Sequence, residues 1–219
     1  MTNRRSLLRF SGVLFGALAA SRTLRAGDLP TAPEPFGFKM QWISVRSESI
    51  DDVVRALSLS SPRQASWRTG IEYAYQSKGV FVAPPVQGWV SIVGLAKGDF
   101  ELQGDRAAMK RRIEMVIPHF RSSCAYATHR VTEYHQWIKA IDGKITRCFA
   151  YLGERGEVLC NEGKVTDAER SLSFGTKPPD QWEPDEGDVM TVARGWSYDP
   201  TGLSEHSAKP EFGVIATWN

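Results

Sequence analysis

The segment "CAYATHRVTEYHQWIKAIDGKITRCFAYL", Cys124 to Leu152, is the most β-like part of the chain and decides the predicted fold. It divides into three runs rich in aromatic and β-branched residues, Cys124 to Val131, Tyr134 to Ile141 and Lys144 to Leu152. Asp142-Gly143 separates the last two runs, and Asp-Gly is among the better short-range signals for a two-residue hairpin turn. The segment therefore predicts a meander of antiparallel strands.

Shorter strand and helix patterns lie on both sides of this meander. Further strands are predicted at Lys39 to Val45, Val80 to Ala83, Trp89 to Val93, Val158 to Cys160 and Phe212 to Trp218. Helices are predicted after a cap at Ser49, from Pro62 to Gln76, from Gly104 to near Pro118, from Thr166 to Leu172 and from Glu186 to Ala193. Strands with interspersed helices predict a single α+β domain whose mainly antiparallel sheet is flanked by helices.

The N-terminal segment "MTNRRSLLRFSGVLFGALAASRTLRA", residues 1–26, has the layout of a signal peptide. Within it, "RRSLLR" resembles the twin-arginine export pattern. Its apolar run is too short to span a bilayer, so we expect cleavage after Ala19, Ala20 or Ala26 and not a membrane anchor. The leader predicts export to the periplasm, and no later stretch is apolar enough for a transmembrane helix.

Residues 27–37 are rich in proline and are predicted to form a linker that does not pack, so the folded domain is expected to span residues 38–219. The leader holds five arginines and no acid, which leaves 22 Lys+Arg against 25 Asp+Glu, a net charge of −3. Nucleic-acid binding therefore loses its support from composition. The negative charge would instead favour a basic partner.

Three cysteines remain after the leader, at positions 124, 148 and 160. An oxidising compartment would allow one disulfide, and Cys148 with Cys160 is the better pair if their strands are neighbours. Buried free thiols are nevertheless the commoner outcome for cysteines scattered in apolar stretches. No spacing suggests a zinc ribbon or a thioredoxin-like site.

The polar residues of the meander, Thr128 to Trp137, are the candidate site. Strand alternation places His129, Val131 and Glu133 on one face, with His135 and Trp137 together on a face of the second run. A bend between the runs would bring the two histidines together, yet no recognised zinc spacing is present, so no metal and no cofactor are expected. The candidate binding surface is His129, Arg130, Glu133, His135 and Trp137.

Catalysis has weaker support than binding, because no residue stands out as a nucleophile. A hydrolase that uses His129, Glu133 and His135, or Cys124 as nucleophile, with or without a metal, is the alternative hypothesis. The seven tryptophans and six tyrosines favour binding, since such side chains concentrate interface energy when they are exposed.

Three stretches carry a resemblance to a family: "THRVTEYHQWIKAIDGKITRCFAYLGERGEVLCNEG" from Thr128, "APPVQGWVSIVG" before it and "DVMTVARGWSYDPTGL" after it. Together they resemble a family of uncharacterised bacterial proteins that is loosely similar to the immunity proteins encoded beside secreted toxins. The resemblance implies a protein partner, a toxin in particular, and carries over no catalytic residue. We therefore expect an exported periplasmic binding protein without catalysis.

Overall fold

The computed structural model describes residues 29–94, 106–205 and 209–218, with the backbone alone at residues 106–109 and 205. The predicted leader, residues 1–26, lies outside these residues. The described strands are β1 Gln41–Arg46, β2 Ser60–Ala65, β3 Val80–Val82, β4 Trp89–Val93, β5 Ser122–His129, β6 Tyr134–Ile141, β7 Lys144–Leu152, β8 Glu157–Gly163 and β9 Gly213–Thr217. The described α-helices are α1 Ile50–Ala56, α2 Trp67–Tyr75, α3 Arg106–Val116, α4 Asp167–Arg170 and α5 Glu186–Trp196.

All nine described strands form one antiparallel sheet with the order β2-β9-β3-β4-β1-β5-β6-β7-β8. The α+β class and the mainly antiparallel sheet agree with the sequence prediction. The meander β5-β6-β7-β8 makes one half of the sheet, and β9 is inserted between β2 and β3 in the other half.

Alternating side chains of the strands build two separate hydrophobic clusters, one on each face of the sheet. Trp42 belongs to the first cluster, which α2 and α5 cover, while the adjacent Ile43 belongs to the second, which α1 and α3 cover. Both faces of the central strands are therefore buried.

Aromatic rings fill the first face. Trp42 stacks on Tyr126 at 4.9 Å between ring centroids, and Trp137 stacks on Phe149 at 4.7 Å. Six of the seven tryptophans are buried, and Trp218 is the exception. The tryptophans therefore stabilise the core, and the expectation that some of them serve as exposed anchors is not supported by their burial.

The second predicted helix begins later than expected. Residues 60–65 form β2, an edge strand paired with β9, and the helix starts at Trp67 after the Ser66 hydroxyl accepts the Thr69 N–H. The prediction was wrong for Pro62 to Ala65 because the pairing partner lies about 150 residues further along the chain. Trp67 and Ala74 do share the buried face that the sequence predicts.

The proline-rich segment packs against the domain, which corrects the prediction of a non-packing linker for residues 27–37. Phe36 is buried with its ring edge against Trp42, and its N–H donates to the Pro200 carbonyl at 3.1 Å. Thr31 forms an isolated bridge with Glu211. The described residues 29–37 are thus a strap across the first face of the sheet.

Cys148 and Cys160 form a disulfide between the neighbouring strands β7 and β8. This bond ties the edge strand β8 to the rest of the sheet. Cys124 is free and buried in the first face.

Candidate functional site

The turn between β5 and β6, Arg130–Glu133, projects from one end of the sheet. His129 pairs with Tyr134, so the strands close immediately before and after four turn residues. Glu133 adopts a left-handed backbone with φ 50°, and its carbonyl accepts the Gly153 N–H at 2.9 Å. The turn is therefore anchored to the next connection of the meander and holds a defined shape.

A chain of side-chain contacts runs inward from this turn. The Glu133 Oε2 atom lies 3.2 Å from His135 Nε2, and His135 Nδ1 lies 3.2 Å from the Thr128 hydroxyl. Thr128 and His135 are opposite each other in the β5-β6 register, and both side chains are fully buried. Glu133 has 55% of its side chain exposed, so the chain of contacts connects solvent to the core.

Glu186, the first residue of α5, forms the other end of this chain. Its Oε1 atom accepts the Thr128 hydroxyl and the Lys39 N–H, both at 3.2 Å. Its Oε2 atom accepts Nε and Nη2 of Arg130, at 3.0 and 2.6 Å. The carboxylate thus holds the turn, the start of β1 and α5 together.

The pKa values of these groups follow from burial and partners. Burial opposes ionisation of Glu186, but hydrogen bonds from Arg130, the Lys39 N–H and Thr128 outweigh it and lower the pKa of the carboxyl. Burial lowers the pKa of His135 below its ordinary value, against the opposing effect of Glu133, Glu186 and Asp185. The Thr128 hydroxyl therefore links an ionised Glu186 to a histidine whose neutral form is favoured by burial.

His129 lies on the opposite face of the sheet from His135, since it is one residue beyond Thr128 in the strand. Its Nδ1 atom lies 3.1 Å from the Thr132 hydroxyl. The hypothesis that a bend brings the two histidines together is therefore wrong. The predicted sharing of one face by His129, Val131 and Glu133 also fails, because β5 ends at His129.

A shallow pocket of about 260 Å³ lies beside His129. Its walls come from the start of β1, the end of α2 and Gly94; the side chains and backbone that line it are those of Lys39, Met40, Gln41, Ala74, Tyr75, Ser77, Gly94 and His129. The pocket and the turn are neighbours on the same end of the molecule.

Exposed apolar side chains surround this end. Phe38 is 45% exposed, Tyr75 54% and Val131 76%, and the Tyr75 hydroxyl donates to the Phe38 carbonyl at 3.3 Å. These three make up half of the six exposed large hydrophobic residues in the described part of the chain. We call Phe38, Tyr75, His129, Arg130 and Val131 the turn surface.

The five residues predicted as a binding surface divide between inside and outside. Arg130 and Glu133 are exposed and His129 is half-buried. His135 and Trp137 are fully buried, because the strand face that carries them is covered by α5 and its neighbours. These two residues are removed from the predicted surface, and Phe38, Tyr75 and Val131 take their place.

The alternative hypothesis is a hydrolase, with or without a metal. Within the described residues, no group of three or more His, Cys, Asp or Glu side chains is placed to hold a metal. Burial raises the pKa of the Cys124 thiol to about 12, so the nucleophilic thiolate is scarce at neutral pH. The carboxylate, imidazole and hydroxyl of Glu133, His135 and Thr128 follow one another as in a hydrolytic triad. The Thr128 hydroxyl is fully buried and engaged with Glu186, however.

Two residues that the sequence analysis missed form a second buried polar cluster, separate from that of Thr128, His135 and Glu186. Arg147 and Glu169 are both almost fully buried, with Arg147 Nε 2.7 Å from Glu169 Oε1. Glu169 also accepts the Trp137 indole N–H at 2.8 Å, and its other oxygen accepts the Thr166 N–H and hydroxyl. The spacing Thr166-x-x-Glu169 is a capping-box signal that could have found this carboxylate.

Comparisons with known proteins add no relative: the chain matches no protein-family model, no curated protein and no solved structure. The resemblance to toxin-neighbouring immunity proteins therefore stays a prediction. Among the described residues, none of the helices is both long and apolar enough to cross a membrane.

Proposed function

We propose that this chain is an exported periplasmic binding protein without catalysis, which contacts a protein partner through the turn surface. The observation that carries the proposal is the exposure of Phe38, Tyr75 and Val131 near one end of the sheet. The Tyr75 hydroxyl bonds to Phe38, and Tyr75 shares a pocket with His129, two residues before Val131. Exposed apolar side chains that cluster beside an arginine are typical of protein interfaces. The immunity-protein resemblance makes a secreted toxin the proposed partner.

Charge supports a partner with a basic surface. Glu133 and Asp185 lie close enough to His135 to act on the pKa of its imidazole. Glu133 and Glu183 act in the same way on the hydroxyl of Tyr151. Glu133 lies in the turn itself, and the chain without its leader has a net charge of −3. Such a field accelerates the approach of a cationic partner and weakens with salt.

The test uses two matched variants, one in the turn before β6 and one at the last residue of β6. Val131→Asp places a charge in the turn surface, whereas Ile141→Asp places the same charge on a residue that is 39% exposed at the far end of the strand. Neither change disturbs the core, so both proteins should fold. We expect Val131→Asp to weaken partner binding by about 30-fold or more, as for an interface hot spot, and Ile141→Asp to leave it unchanged.

The partner is first obtained by purifying the tagged protein from the periplasm under mild conditions and identifying co-purifying proteins by mass spectrometry. Affinities of the two variants are then measured by calorimetry. A folded, exported protein that carries no partner at equal stoichiometry would contradict the proposal, as would equal losses in both variants. A toxin partner should arrest growth when expressed alone and should not when this chain is co-expressed.

Hydrolysis is the second candidate function, and the order Glu133, His135, Thr128 at 3.2 Å per contact favours it. Thr128→Val removes the hydroxyl and keeps the side-chain shape. Any ester, phosphoester or glycoside hydrolysis by the pure protein that disappears in Thr128→Val would replace binding by catalysis. Full partner binding by that variant, with no hydrolysis by the parent protein, is the result expected of a binding protein.

A further inference from the structure

In the hydrogen-bonded chain Glu133-His135-Thr128-Glu186, the number of hydrogen atoms available for the three contacts depends on whether His135 is protonated. Its three successive contacts each need one hydrogen between two electronegative atoms. Neutral His135 supplies one hydrogen and the Thr128 hydroxyl supplies another. Since Glu186 is held ionised by Arg130, a neutral imidazole leaves the chain one hydrogen short. A doubly protonated imidazolium supplies all three.

The missing hydrogen should fall at the contact that is cheapest to lose. Thr128 and His135 are fully buried, so an unsatisfied acceptor between them would incur the full cost of desolvation. Losing the hydrogen between Thr128 and Glu186 would leave two oxygen atoms facing each other at 3.2 Å, because the Arg130 side chain and the Lys39 N–H hold the carboxylate in place. The Glu133 carboxylate, by contrast, is 55% exposed, so it can move into solvent, and water that takes its place can donate to His135 Nε2.

We propose that His135 is a proton-operated latch beneath the turn. When the imidazole ring is neutral, its single N–H proton is on Nδ1 and is donated to the Thr128 hydroxyl. Thr128 in turn donates to Glu186, and the Glu133 carboxylate is released to solvent. When Nε2 gains a second proton, the imidazolium captures Glu133 and fixes the C-terminal side of the turn. That this turn, with Val131 at its tip, contacts a partner rests on the proposed function; the latch itself does not.

Charged and titratable groups from three elements face His135 in the described part of the chain. Glu133 comes from the turn, Tyr151 lies directly opposite on β7, and Asp185, Glu186 and Asp188 come from the start of α5. Arg130 compensates Glu186. Burial works against the imidazolium while the carboxylates work for it, so the latch should close on acidification below neutral pH and open above it.

Nitrogen NMR of the imidazole rings reads the latch directly. Side-chain ¹H–¹⁵N spectra of the purified protein are recorded from about pH 8 to about pH 4, a range centred near the ordinary pKa of histidine. We expect His135 to be protonated only on Nδ1 at high pH and on both nitrogens at low pH. The Glu133 carboxyl carbon should change its shift in the same titration step.

Glu133→Gln tests the identity of the captured group. Loss of the carboxylate should weaken proton binding by His135 about tenfold, the effect of removing an opposite charge at close range. Glu154→Gln, a change of the same kind in the neighbouring connection, should leave proton binding unchanged. Both carboxylates are solvent-facing, so the variants should fold, and an amide spectrum of each confirms this.

Three outcomes would overturn the latch. A proton on Nε2 at high pH would show that Glu133 is held in both states. A ring that stays neutral down to about pH 4 would show that the second proton is never bound, since that value lies far below the ordinary pKa. Equal effects of Glu133→Gln and Glu154→Gln would show that only the general field is sensed. None of these involves a partner, so they are independent of the binding experiments.

Discussion

Glu169→Gln is the perturbation whose consequence can be worked out most fully from the structure. The Glu169 carboxylate is fully buried and accepts four hydrogen bonds. Two reach Oε1, from Arg147 and Trp137, and two reach Oε2, both from Thr166. Glutamine has nearly the same shape but offers an NH₂ group in place of one oxygen.

With its NH₂ group at the Oε1 position, the new amide opposes the two buried donors of Arg147 and Trp137. With the NH₂ group at the Oε2 position it opposes the Thr166 N–H, while the Thr166 hydroxyl can turn to accept. Each unsatisfied buried group costs about 1–3 kcal/mol, and the Arg147 guanidinium also loses its counter-charge. Breaking a buried ion pair by removing one partner costs about 3–5 kcal/mol, and this loss applies in both orientations. We therefore expect the free energy of unfolding to fall by about 3–5 kcal/mol.

The assay is urea unfolding followed by tryptophan fluorescence, because six buried tryptophans report on the core. A thermal melt should show a midpoint lower by about 6–20 °C, at about 2–4 °C per kcal/mol for a chain of this size. Glu183→Gln, an exposed carboxylate, is the matched control and should change stability by less than about 0.5 kcal/mol. A loss below about 1 kcal/mol in Glu169→Gln would refute the reasoning, since it would mean that the cluster tolerates a neutral partner.

Two further predictions concern the edge strand and the leader. Replacing both Cys148 and Cys160 by alanine should lower the free energy of unfolding by about 2–4 kcal/mol, because the disulfide closes a loop with a sequence separation of 12. Chemical denaturation of the oxidised, reduced and double-alanine proteins checks this, and equal stability of all three would contradict it. If the twin-arginine resemblance is functional, replacing Arg4 and Arg5 together by lysine should retain the protein in the cytoplasm with its leader uncleaved. Cell fractionation and N-terminal sequencing check this, and undiminished export would count against it.

The sequence predicts the fold best where the interactions are local. Asp142 and Gly143 both have positive φ, 49° and 76°, as a two-residue hairpin turn of that kind requires, and the flanking strands pair as expected. The start of α5 is equally local, since Asp185 and Asp188 cap the helix reciprocally. These features depend on residues within a few positions of each other and can therefore be read from the chain.

Features that depend on distant partners could not be predicted. β2 has the polar sequence "SSPRQA", and only its pairing with β9 makes it a strand. For the same reason the sequence could not show that Glu186 reaches Thr128 and Arg130, more than 50 residues before it. The sequence also did not show that the two histidines lie on opposite faces of the sheet. A four-residue turn follows β5 where the strand was expected to continue, and this changes which side chains share a face.

The place of β9 has a consequence for how the molecule is made. β9 is the last of the nine strands to leave the ribosome, yet it is an inner strand with β2 on one side and β3 on the other. β2 and one edge of β3 therefore stay unpaired until Gly213–Thr217 has been synthesised. Closing this half of the sheet relies on contacts of long sequence separation, which makes it slow.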